Sequence, residues 1–266
     1  MEYNPLVITA LLFILGGLLI MYVLKNVGRK HSVQGGANIA VAAIRNILNA
    51  HVTFYRQLNE HEQNRFCERV GYFLKTTKIS AEKGVFIADE DKVLVAASAT
   101  IPLFHFDNWA YENLDEVLIY PDAFDEKFDT DDANRNILGM VGDGAMNRKM
   151  ILSLGALRTG FALGSSHNTA IHEFVHLIDK ADGEIDGVPE YLIPKSLVGP
   201  WLAEMSKTIR QIRSEQSDIR DYAATNEAEF LAVLSEYFFQ KPKLLKEEHP
   251  ELFKILSETY ERSGTI

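Results

Sequence analysis

His172, Glu173 and His176 form an H-E-x-x-H pattern inside the run Thr169-Ala170-Ile171-His172-Glu173-Phe174-Val175-His176-Leu177-Ile178-Asp179. Four residues are about one helical turn, so on a helix both imidazoles point the same way and can bind one Zn²⁺. Glu173 sits about 100° further round, within reach of the proton of a water in the open coordination position. The chemistry of such a group is hydrolysis, with the carboxylate as general base. A catalytic zinc keeps three protein ligands and one open position. The rest of the chain must therefore supply a third ligand, a transition-state donor and a substrate groove. The chain has 8 His, and a chance copy of the pattern could fall anywhere. This copy follows a Gly-Ser-Ser turn and lies in an apolar, helix-compatible stretch.

After His176 come Leu-Ile-Asp-Lys-Ala-Asp-Gly, with no H-x-x-G-x-x-H extension, which removes the three-histidine class. Candidates for the third ligand lie in the stretch from Asp221 to Phe239. Thr225 or Asn226 can cap a helix there. Glu229 and Glu236 are seven residues apart, two turns along one face. Carboxylates on an otherwise apolar face are costly unless paired or metal-bound. Glu227 falls on another face, open to solvent. The face argument leaves Glu229 and Glu236 tied. Asp179 and Glu236 could accept from the second ring nitrogen of a ligand histidine, or serve in capping and surface pairing. Tyr222 reads equally well as a core tyrosine with a satisfied hydroxyl. His167, five before His172, lies on a different face and reads as structural. His31, His51, His105 and His249 carry no ligand spacing.

Three separated motifs carry a resemblance. His172-Glu173-Phe174-Val175-His176-Leu177-Ile178-Asp179, then Asp221-Tyr222-Ala223-Ala224, then Ala228-Glu229-Phe230-Leu231-Ala232-Val233-Leu234-Ser235-Glu236-Tyr237-Phe238-Phe239 occur in this order. With Glu116-Val117-Leu118-Ile119-Tyr120-Pro121 and Gly187-Val188-Pro189, they resemble the zinc peptidases related to Mlc titration factor A, over roughly residues 55 to 260. The resemblance implies a glutamate-type zincin fold like the catalytic domain of anthrax lethal factor. It implies one catalytic Zn²⁺ held by His172, His176 and Glu229, Glu173 as general base, and Tyr222 as the hydroxyl facing the developing oxyanion. It breaks the tie in favour of Glu229. The implied substrate is a peptide or protein, in amino- or endopeptidase mode. The alternative it carries is a binding module that sequesters a regulatory protein with little or no catalysis.

The elements that must position these groups read as short strands mixed with helices. Asn59 with Glu62 starts a helix whose buried stripe is Phe66, Val70, Phe73 and Leu74. Asp89 to Ala99 continues as a helix that Pro102 stops. Glu116–Tyr120 is β-branched, bounded by Pro121, and reads as a buried strand; Met150–Leu154 is a second. Either could be an edge that holds a substrate backbone by strand addition. Asp122 to Asn136 is an acidic surface loop without Ca²⁺-loop spacing. The expected fold class is α+β: one zincin-like domain over residues 38–266, after a linker over 25–37.

Composition bounds the partners. Charged residues are 24% and hydrophobics 47%, within the range of a globular protein. The net charge of −10 without a basic stripe excludes nucleic acid as a partner. Cys67 is the one cysteine, so no intramolecular disulfide forms; it reads as a small core residue. Residues 6–24 carry no charge, long enough to span a bilayer of about 30 Å. No Lys or Arg precedes the run, whereas Lys25, Arg29 and Lys30 follow it. This predicts an uncleaved transmembrane helix contacting the lipid bilayer, N-terminus outside, and a cytoplasmic catalytic domain.

Overall fold

The computed structural model describes residues 36–130, 135–142 and 144–261, together with Gly16. It opens with α1 (Val41–His51), α2 (Thr53–Gln57) and α3 (Glu60–Thr76), followed by β1 (Lys78–Ala81) and α4 (Asp89–Thr100). Strands β2 (Glu116–Tyr120), β3 (Gly139–Val141) and β4 (Lys149–Ser153) come next, then α5 (Leu154–Gly160) and α6 (Thr169–Asp179). The chain closes with α7 (Lys195–Arg213), α8 (Glu227–Gln240), α9 (Pro242–Glu248) and α10 (Pro250–Tyr260). By internal contacts the chain divides into residues 1–32 and 33–266, and every element named here lies in the second unit.

Local chemistry starts these helices where the sequence places them. Asn59 accepts from the Glu62 amide at 3.0 Å, and Glu62 accepts in return from the Asn59 amide at 3.1 Å. This reciprocal box satisfies two first-turn donors of α3. The stripe Phe66, Val70, Phe73 and Leu74 is buried as expected. Phe73 meets Phe174 of α6 edge-on at 5.7 Å, and Tyr111 approaches the same ring at 5.1 Å. A buried aromatic of this kind contributes about 1.5–3 kcal/mol, so α6 is anchored from its back face. Cys67 is buried and its thiol lies 3.4 Å from the Tyr55 hydroxyl.

The four strands form one mixed sheet in the order β1-β2-β4-β3. β1, β2 and β4 run parallel, with Ser80, Leu118 and Ile151 in register, and β3 pairs antiparallel to β4 with Met140 opposite Ile151. The two runs read as strands both form, but neither is an edge. β2 and β4 are buried along four of five residues, which matches strands covered on both faces. The edges are β1 and β3, and β3 lies against α6. A three-residue strand beginning at Gly139 has no periodicity to read, as is usual for short, blunted edges. Leu154 is also reassigned: the Ser153 hydroxyl accepts from the Ala156 amide at 3.2 Å, ending β4 and opening α5.

The expectation of a single-pass membrane protein with its N-terminus outside is corrected. Among the described residues no helix is long and apolar enough to cross a membrane. Residues 6–24 lie, Gly16 apart, outside the described residues.

Candidate metal centre

Helix α6 is buried on nearly every side: Ala170, Ile171, Phe174, Val175, Leu177 and Ile178 are all buried. Asn168 caps it, its side chain accepting from the Ile171 amide at 3.1 Å. Such a helix cannot rotate without exposing apolar surface, so His172 and His176 are fixed in direction. Their Nε2 atoms lie 3.1 Å apart.

Helix α8 packs against α6. Asn226, one of the two expected caps, accepts from the Glu229 amide at 2.9 Å. Glu229 Oε2 then stands 2.9 Å from His172 Nε2 and 3.5 Å from His176 Nε2. Glu236, two turns on, reaches the other nitrogen of the same ring, with Oε1 2.8 Å from His172 Nδ1. Its Oε2 accepts from the Asn168 amide at 2.7 Å. Arg220 also donates to Glu236 Oε1, so this carboxylate, only 2% exposed, has three donors around it. Glu227 is exposed.

Burial disfavours a charged His172, but its hydrogen bonds to Glu229 and Glu236 outweigh that and raise its pKa. Burial opposes the ionisation of Glu229 in turn, and the two imidazoles overcome it and lower its pKa. The pull on a proton here is the pull a dication would feel. Among the described residues, His172, His176 and Glu229 are the group that could hold a metal ion, with ligand atoms within 4.8 Å of one another. Tetrahedral zinc with bonds of about 2.0–2.2 Å separates its donors by about 3.3–3.6 Å. The observed separations of 2.9, 3.1 and 3.5 Å are near that spacing. The donor set of two nitrogens and one carboxylate oxygen fits zinc, and Glu236 on Nδ1 would turn the His172 Nε2 lone pair towards an ion held there.

Glu173 is buried beside this group. Burial raises its pKa, and the imidazoles of His172 and His176 pull it partly back. Tyr222 lies on a 3₁₀ turn, Asp221–Ala224, its ring 6.0 Å from that of His172. It is 52% exposed. Partial burial and the charge of the nearby Glu229 carboxylate push its pKa up to about 12, so it carries its proton at neutral pH. A cleft of about 300 Å³ opens here, lined by Leu138, Gly139, Thr169, Glu173, Arg220 and Tyr222 among others.

Asp179, expected as a possible acceptor for a ring nitrogen of His172 or His176, lies elsewhere, and His167, read as structural, is outside the metal group. Asp179 Oδ2 accepts from the Gly187 amide at 3.0 Å, and Oδ1 is buried with no hydrogen-bond partner among the described residues; neither oxygen is bonded to His172 or His176. Burial raises its pKa to about 6 against the pull of the Gly187 amide. His167 bonds to the Ser166 hydroxyl at 2.9 Å and contributes no atom to the metal group. Sequence reasoning missed Gly139 and Arg220. Arg220 directly precedes Asp221-Tyr222, but nothing in its spacing points to Glu236.

The sequence profile described as glucose-regulated metallo-peptidase M90 matches residues 28–261. The chain is 27% identical to Mlc titration factor A of Pectobacterium atrosepticum over 221 residues, 76% of this chain and 80% of that one. It is 28% identical to Mlc titration factor A of Escherichia fergusonii over 222 residues, 79% and 82% of the two chains. An uncharacterised protein of Synechocystis sp., slr2042, is 27% identical over 227 residues, 80% and 82% of the two.

Proposed function

The chain belongs to the glucose-regulated metallo-peptidase M90 family, and we propose that it is a zinc-dependent peptidase with residues 38–266 as its catalytic unit. The observation that carries this reading is the convergence of His172, His176 and Glu229 beside a buried Glu173 at a cleft. His172, His176 and Glu229 hold the ion, which supplies Lewis acidity towards water and a peptide carbonyl when bound. Glu173, with its pKa raised by burial, takes the proton of the attacking water and returns it to the leaving amine. Tyr222 keeps its proton at neutral pH and donates to the oxygen of the tetrahedral intermediate. Strand β3 offers a peptide backbone an open edge beside α6.

The test is cleavage of a peptide library by the zinc-loaded full-length protein, with and without chelator. Glu173→Gln retains zinc and lowers turnover by about 10²–10⁴-fold. Failure of the zinc-loaded wild type to cleave any peptide overturns the reading. The relatives named Mlc titration factor A support a second reading, capture of a regulatory protein. In that case Glu173→Gln binds the partner as wild type does, and wild type cleaves nothing.

A further inference from the structure

Arg220 and Tyr222 are two residues apart, and Arg220 is fastened to a glutamate of α8. Arg220, at the start of the 3₁₀ turn, donates to Glu236 Oε1. The Arg220 guanidinium lies 6.0 Å from the Tyr222 ring, which itself stands 6.0 Å from the His172 ring. Glu236 in turn meets His172 Nδ1 at 2.8 Å, and Glu229 meets His172 Nε2 at 2.9 Å. These contacts close a ring that runs from His172 through Glu236, Arg220 and Tyr222 back to His172.

We propose that Arg220 is a positioning residue that closes this ring, setting the direction of the His172 Nε2 lone pair and the place of the Tyr222 hydroxyl together. The proposal rests on the reading of His172 as a zinc ligand and Tyr222 as the oxyanion donor. Its guanidinium is the cationic side chain hydrogen bonded to Glu236 among the described residues. Without it, the buried Glu236 carboxylate keeps only the His172 ring and the Asn168 amide. A buried carboxylate that loses one donor turns towards those left, and the His172 ring turns with it. The segment carrying Tyr222 loses its fastening on that side. The competing role is direct contact with substrate, since Arg220 is 33% exposed and lines the cleft.

The experiment measures zinc affinity of the full-length protein by competition with a chromophoric chelator, alongside peptide turnover, for Arg220→Ala, Arg220→Met and Arg220→Lys. The Met variant keeps an apolar stem in place and carries the test if the Ala variant does not fold. Ala and Met are expected to lower zinc affinity about 10–100-fold and to lower kcat, with KM unchanged within about twofold. Lys, or guanidinium ion added to the Ala variant, restores part of both. Zinc affinity unchanged within about twofold in Ala and Met overturns the proposal. So does a KM increase confined to peptides with a free C-terminal carboxylate and absent for their amides, which assigns Arg220 to substrate. Either result with a wild type that binds zinc and cleaves peptides sinks this proposal alone. A wild type that binds no zinc sinks the peptidase reading beneath it.

Discussion

Gly139 stands so close to Glu173 that a Cβ at this position would lie 2.7 Å from both Cγ and Oε1 of the glutamate. The same Cβ would lie 2.9 Å from Thr169 Cγ2. The edge strand thus closes one side of the pocket that holds the proposed general base. Only a residue without a side chain lets strand and carboxylate approach this far.

Gly139→Ala should therefore displace Glu173 while leaving the metal ligands in place. A displacement near 1 Å costs up to about 100-fold in rate, so kcat falls by about 10–100-fold with zinc content unchanged. Gly199 is the control: it is exposed within α7 and a Cβ there meets nothing within 4 Å. Gly199→Ala should leave kinetics unchanged and stabilise by about 0.5–1 kcal/mol, because alanine is the better helix former. Steady-state kinetics and thermal melts of the two variants check the contrast. Equal kcat in Gly139→Ala and wild type would remove the steric role of Gly139.

Glu229 and Glu227 are two residues apart, and only Glu229 faces the imidazoles. Glu229→Ala should weaken zinc binding by more than the about 10–100-fold typical of residues that only support ligands. Glu227→Ala should bind zinc as wild type does. Equilibrium dialysis against a zinc buffer measures both. A large loss in the Glu227 variant would contradict the assignment.

Removal of the ion should lower stability as well as activity. Two glutamates and two histidines crowd one point, and an ion that binds only the folded state stabilises it. At free zinc about 100 times the Kd the gain is about 2.7 kcal/mol, or about 5–10 °C in melting temperature for a chain of this size. Calorimetry with chelator, then with added zinc, reads the loss and the recovery. An unchanged melting temperature would speak against a site formed by folding.

Glu116 gives a stability test away from the site. Burial raises its pKa, but hydrogen bonds from Lys78, Ser80 and Lys149 outweigh that and lower it to about 2. Its folded pKa lies below the ordinary 4.5, so its contribution is present above pH 4.5 and is lost as pH falls towards 2. Both lysines are more than a third exposed, and solvent screening holds the contribution to about 1 kcal/mol. Glu116→Gln should therefore destabilise by about that amount at pH 7 and match wild type near pH 2. Denaturant melts at the two pH values decide it; a constant difference would rule out the charge as its source.

Several features of this molecule are written locally and were legible in the chain. The capping box of Asn59 and Glu62, the helix stop at Pro102 and the buried strand Glu116–Tyr120 each depend on a few neighbouring residues. The α+β class follows from such pieces, and so do the paired imidazoles of α6, because helical periodicity fixes which side chains share a face. Periodicity also places Glu229 and Glu236 on one face, but it cannot say which atom of a partner each will meet. That required α8 to dock on α6 across 57 residues of chain, with the His172 ring between the two carboxylates. Asp179 turned to the Gly187 amide for the same reason: its partner is set by where a loop returns, not by its place on the helix. The β3 edge, the Gly139 contact and the Arg220 fastening likewise exist only after the chain has closed on itself. Local sequence determined which groups could do chemistry and on which elements they ride. Long-range packing decided which nitrogen faces which oxygen, because that depends on distances no spacing in the chain encodes.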